Sequence, residues 1–238
     1  MQTYQNKHLA RLAGFLYLLM IPLGVFGIMY MPSNVLVAQD ASLTFSNLIE
    51  HETMLRISVL SAFLIQIIQI FLVIILYQLW KQHSQALASF MVLFTIAAVP
   101  IAMFNELSII SALFLAHSPD IQQSLTSVQL ESAIYFLLNI HEQGIMIVHI
   151  FWGLWLIPMG LLTYKSGYLP KIIGFLLVIG GFGYCLDTLT FFITASSDYM
   201  IAQYTFIGEV LLPITLLWYS FTKSKNTNIK NETQHETN

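Results

Sequence analysis

Glu106, His149, Asp187 and Glu209 stand inside long apolar stretches of a 238-residue chain in which only 9% of residues are charged. Carboxylates and an imidazole in such surroundings suit three kinds of chemistry. They hold or pass a proton, bind a small molecule or ion, or ligate a metal. Counted at 1.5 Å per residue from the helix ends nearest the lysine-bearing turns, they lie about 20 Å (Glu209), 22 Å (His149), 24 Å (Asp187) and 28 Å (Glu106) along their helices. Four helices of alternating direction thus carry one ionisable group each to a common layer. His141, Glu142 and Arg56 fall just above it, and Glu52 lies four residues before Arg56. An isolated charge at that depth is costly, so these groups are expected to face inward, pair, or meet water.

Each residue also has a plainer reading. His141 and Glu142 suit an ordinary membrane interface. His149 suits a neutral imidazole satisfied by one hydrogen bond between helices, and Glu52–Arg56 a surface pair at i,i+4. Asp187 and Glu209 suit either a cavity or proton path, or a buried structural pair. Haem is disfavoured, because His141 and His149 lie about 12 Å apart on one helix and cannot sandwich one macrocycle. "HEQGI" places Ile145 where an H-E-x-x-H zinc motif needs its second histidine. A metal would have to draw His149, Asp187 and Glu209 from three helices. No cofactor is implied, and no basic cluster with interleaved aromatics points to nucleic acid.

The elements that must position these residues are membrane helices. Hydrophobic residues make up 57% of the chain and mean hydropathy is +0.73, outside the range of soluble domains. Six segments, at 12–32, 57–80, 87–115, 129–163, 171–193 and 200–222, reach the ~20 apolar residues a bilayer requires. The expected fold is an all-α membrane protein, a six-transmembrane-helix bundle forming one polytopic domain over 1–222. The polar tail at 223–238 is expected to be disordered. Eight of the nine lysines and arginines fall on one side of this arrangement and only Arg56 on the other. The positive-inside rule then puts both termini in the cytoplasm. Asp40 or Ser42 is suited to cap a helix leading into the second span, and Thr126 with Gln129 forms a capping box before the fourth. Helices two to four are expected to extend on the outer side, or to break near Gly144. Gly174, Gly180, Gly181 and Gly183 mark close helix packing, while Pro213 frees the carbonyl of Glu209.

Two family likenesses bear on this. "HETMLR" at 51–56 faintly resembles the E-E-x-x-x-R motif of CAAX-type intramembrane proteases. His51 replaces its first glutamate, Ile145 to His149 replaces its F-x-x-x-H, and its last motif is absent. A fuller likeness rests on "RLAGFLYLLMIPLGVF", "NLIEHETMLR" and "YKSGYLPKIIGFLLVIGGFGYCLDT". These resemble the bacterial membrane family filed as domain of unknown function 4386. The resemblance implies a compact helical fold in the bacterial cytoplasmic (inner) membrane, and carries no activity or catalytic residue with it.

The function expected from these residues is a binding, sensing or permeation module with an outward-facing polar pocket, surrounded by membrane lipids and open to a small molecule or ion. A membrane-embedded hydrolase using the same layer is the second reading, and a structural or partner-binding protein without a pocket the third. The topology has a direct test. Reporter fusions at residues 83, 167 and 230 are expected to report a cytoplasmic location and a fusion at 120 an external one. An external signal at 167 would overturn the helix count.

Overall fold

The computed structural model describes residues 2–194 and 200–222. The expected tail at 223–238 lies outside the described residues. Six helices are long and apolar enough to cross a membrane: α1 (Asn6–Val35), α2 (Glu52–Trp80), α3 (Gln85–His117), α4 (Ser127–Ser166), α5 (Lys171–Thr194) and α6 (Ala202–Phe221). No strand occurs among the described residues. At 1.5 Å per residue the 40 residues of α4 span about 60 Å, twice the hydrocarbon core of a bilayer.

Local chemistry sets the helix ends. Asp40 accepts a hydrogen bond from the Leu43 amide at 2.8 Å and so caps a short helix, Ala41–Glu50. That helix does not run into α2, as a single extended second helix would. It ends at His51, whose φ of −102° and ψ of 16° turn the chain before Glu52. Thr126 and Gln129 complete the reciprocal box that starts α4. Gly167 ends α4 with a φ of +73°, a left-handed conformation that costs a residue with a Cβ about 1–2 kcal/mol. Pro170 then leads directly into α5.

The expected break near Gly144 is absent, and α4 is continuous. A side chain at Gly144 would occupy the place of the Asn105 carboxamide, which donates to the His141 carbonyl at 2.9 Å. The irregularities fall on other helices instead. α3 is interrupted at Glu106 and α6 at Phe206. Downstream of Pro22, α1 widens into a π-helical turn, Val25–Tyr30.

Each helix packs on its neighbour in sequence, and α6 returns to α1 to close a ring. Lys7, Arg11, Lys81, Lys165 and Lys171 belong to one end of this ring, and Arg56 to the other. At the basic end the ring is filled by Tyr17, Leu76, Trp80, Met91, Leu156 and Leu212, among others. Toward the opposite end a second cluster, including Leu48, Leu55, Leu113 and Ile134, joins only α1 to α4 and the short helix before α2. α5 and α6 contribute nothing to it, so the ring is unevenly filled. Outward faces carry bulky apolar groups such as Phe15, Leu60, Phe71, Phe104 and Phe175.

The tightest seam joins α4 to α5. A Cβ on Gly160 would sit 2.5 Å from the Gly174 carbonyl oxygen, and one on Gly153 would sit 2.5 Å from that of Gly181. Both pairs are seven residues apart on their helices, so two consecutive contacts fall on one stripe. Gly160→Leu is therefore expected to cost about 1–3 kcal/mol by overpacking, read as a lowered thermal midpoint of the purified protein. Gly24→Ala is the control, because its Cβ would meet Ile65 at an ordinary 3.9 Å, and it is expected to leave the midpoint unchanged.

Candidate binding cavity

Between the two packed clusters lies a cavity of about 720 Å³, with lining residues drawn from all six helices. Its walls are largely apolar: Met20 and Ile28 of α1, Ile65 of α2, Ile109 of α3, Leu138 and Met146 of α4, Phe206 and Val210 of α6. Polar groups concentrate where the cavity meets the filled half of the ring. Tyr17 is 4% exposed, and its hydroxyl donates to Glu209 Oε2 at 3.4 Å. Tyr184 also faces the Glu209 carboxyl. Glu209 Oε1 is buried and has no hydrogen-bond partner.

Aromatic rings line the same cavity. The Tyr17 and Trp155 centroids are 5.9 Å apart. His149 lies 5.3 Å from Trp152 and 5.0 Å, edge to face, from Tyr184. The imidazole is 7% exposed, and its Nδ1 atom likewise has no partner. The sequence explains this clustering in part. His149, Trp152 and Trp155 occupy i, i+3 and i+6 positions on α4, and Gly153 lets Tyr184 and Cys185 of α5 close on them.

The residues anticipated from depth divide into three groups. His141, Glu142, His149 and Glu209 line the cavity. Glu142 does so from an exposed position. Glu106 does not reach it: its Oε1 faces His141 Nε2 at 3.2 Å, and both side chains are 5% exposed. The pair stitches α3 to α4 one residue from the Asn105 contact. Asp187 is also placed elsewhere. Its Oδ1 and Oδ2 accept from the Ile201 and Ala202 amides at 2.5 and 2.8 Å. These are orphan donors at the start of α6, so the carboxylate acts as a helix cap supplied by a neighbouring helix.

Glu52 and Arg56 do not line the cavity either. Arg56 Nε donates to Glu52 Oε1 at 2.8 Å, and His117 Nε2 approaches Oε2 at 3.0 Å. The carboxylate of the protease-like "HETMLR" stretch is thus engaged at the ring's end, whereas His149 lies on the cavity wall. Among the described residues, no three histidine, cysteine, aspartate or glutamate side chains are grouped to hold a metal. His149, Asp187 and Glu209 are not such a set, because both oxygens of Asp187 already serve backbone amides.

Tyr17, Trp152, Trp155, Tyr184 and Gln69 line the same cavity and were not anticipated. Their signal was available: phenols, indoles and an amide within apolar spans carry polar atoms that need partners. Only their rotational position about each helix was missing.

A family model described as domain of unknown function DUF4386 matches residues 12–219. The chain belongs to this family. An uncharacterized protein of Archaeoglobus fulgidus is 34% identical over 160 residues, covering 67% of this chain and 82% of its own length. The relative is archaeal, so the similarity does not point to a bacterial source. No solved structure matches.

The capping role of Asp187 in this DUF4386 protein is testable. Asp187→Ala is expected to cost about 1–3 kcal/mol, since the buried Ala202 amide and the part-buried Ile201 amide lose their acceptors. Hydrogen exchange at Ile201 and Ala202 is expected to quicken. Unchanged exchange there would rule out the cap.

Proposed function

We propose that this protein is a membrane-embedded binding module. It is a single polytopic domain over residues 1–222 whose cavity opens to the outer side and receives a small molecule or ion. The observation that carries this reading is the pair of unpartnered atoms, Glu209 Oε1 and His149 Nδ1, on the wall of a mostly apolar cavity. Leaving a buried polar atom without a partner costs about 1–3 kcal/mol. Among the described residues, Gln66, Trp80, His83 and Tyr168 also carry an unpartnered buried atom, but of the six only Glu209 and His149 line the cavity, where a ligand that supplies the partners offsets the cost. A few convergent polar groups in an apolar cavity of this size are what small-molecule sites consist of.

The orientation rests on charge. Lys7, Arg11, Lys81, Lys165 and Lys171, together with the three lysines at 223, 225 and 230, oppose Arg56 alone. This asymmetry favours cytoplasmic termini, with the long ends of α2, α3 and α4 and the cavity mouth on the outer side. The host membrane in this reading is the bacterial cytoplasmic membrane, whose lipids cover the outward apolar faces. The packed core beneath Glu209, with Leu72, Leu76 and Trp80 all fully buried, favours binding or sensing over an open channel.

Cysteine accessibility tests the reading. In a Cys185→Ala background, Ile21→Cys, Ile145→Cys and Val210→Cys are expected to react with a small impermeant thiol reagent added from outside intact cells. Leu76→Cys and Leu156→Cys, in the filled half, are expected to stay unreactive. Equal protection of both sets would mean that no outward-facing cavity exists.

A further inference from the structure

We infer that the ligand is an organic cation, an ammonium- or phosphonium-type group on an apolar body, held against Glu209 within a cage of Tyr17, Trp152, Trp155 and Tyr184. The inference rests on the binding reading above and adds the sign of the ligand's charge.

The charges on the wall come first. Two carboxylates, Glu142 and Glu209, line the cavity, and no lysine or arginine does. Arg56 is held by Glu52, and the other described basic side chains belong to the opposite end of the ring. The two lining histidines do not reverse this balance. His141 faces Glu106, and His149 packs between the rings of Trp152 and Tyr184. An anion entering here would meet carboxylates and no charged donor.

Ring geometry points the same way. Tyr17 and Tyr184 face the Glu209 carboxyl, and Trp152, Trp155 and His149 line the same cavity, the rings forming two groups with neighbouring centroids 5.0 to 6.5 Å apart. Aromatic faces carry negative quadrupole density and attract cations, most strongly where water is excluded. Glu209 Oε1 is left free to accept, while Oε2 is engaged by the Tyr17 hydroxyl. A small inorganic cation suits this site poorly, because Ca²⁺ and Mg²⁺ demand six or more oxygen ligands. A large, weakly hydrated organic cation needs only one carboxylate, polarisable faces and apolar walls. Met20, Ile65, Met146 and Val210 supply those walls.

The test compares two probes of one shape and opposite charge, tetraphenylphosphonium and tetraphenylborate. Their binding is measured to the full chain in nanodiscs of neutral lipid, with empty nanodiscs subtracted. Saturable phosphonium binding is expected, with the borate weaker by about tenfold or more, the scale of a desolvated charge contact. Quenching of Trp152 and Trp155 fluorescence is expected to accompany it. Glu209→Gln is expected to lose most of the phosphonium affinity and to leave the borate unchanged. Equal or tighter borate binding by the unsubstituted chain overturns the cation assignment while leaving the cavity in place. Unchanged phosphonium affinity in a folded Glu209→Gln protein does the same. Saturable binding of neither probe overturns the organic-cation assignment, while the cysteine accessibility described above decides the binding reading separately. Because the two-probe comparison uses the unsubstituted chain, it decides the question even where Glu209→Gln fails to fold.

Discussion

The backbone contact between α4 and α5 is the constraint on which the rest of this structure depends. In lipid no hydrophobic force draws one apolar helix to another, so close van der Waals approach has to do that work. Gly153 and Gly160 on one helix meet Gly181 and Gly174 on the other within distances that admit no side chain. This clasp fixes the rotation of both helices at once. His149, Trp152 and Trp155 are turned inward from α4, and Tyr184 meets them from α5. The opposite side of the ring is built differently. There α1 carries a proline, a π-helical turn and few buried side chains, and it packs mainly on α2 and α6, with Tyr17 reaching across to Trp155. The cavity occupies the space that this unequal packing leaves.

Within one ring, the fold resolves the problem of membrane carboxylates in three ways. Asp187 is satisfied by two backbone amides that would otherwise lack partners, so its charge and the start of α6 stabilise each other. Glu106 is paired with His141 across α3 and α4, beside an asparagine that reaches the same stretch of α4. Glu209 is met by phenols and keeps one oxygen free. The first two arrangements are complete, and a further partner would add nothing to them. The third is open, and it is the one that lies on a cavity wall.

The division explains what was legible in the sequence. Length and apolarity follow from counting residues, so the existence of six spans was readable, whereas the common level of Glu106, His149, Asp187 and Glu209 was not met: Glu106 meets His141, eight residues along α4 from His149, and Asp187 meets Ile201 and Ala202 rather than the level of Glu209. Caps were readable too, because Asp40 and Thr126 act on amides a few residues away. Direction around the helix was not. Asp187 and Glu209 differ in no local feature that separates a cap from a cavity wall; the difference arises from which neighbour packs against each. The continuity of α4 at Gly144 was hidden for the same reason, since the explanation is Asn105, 39 positions earlier in the chain. His51 is a milder case, where an unbroken polar-apolar pattern concealed a turn between two helices.

The chemistry of the walls bears on what the open arrangement is for. A partly open cavity of about 720 Å³ is filled by whatever surrounds it. Water satisfies Glu209 and His149 but wets the apolar walls, and a lipid chain matches the walls but leaves both polar atoms unmet. An occupant with a polar or charged head and an apolar body meets both demands at once. The cavity walls thus favour amphiphilic contents, before any specific recognition by Glu209 is considered.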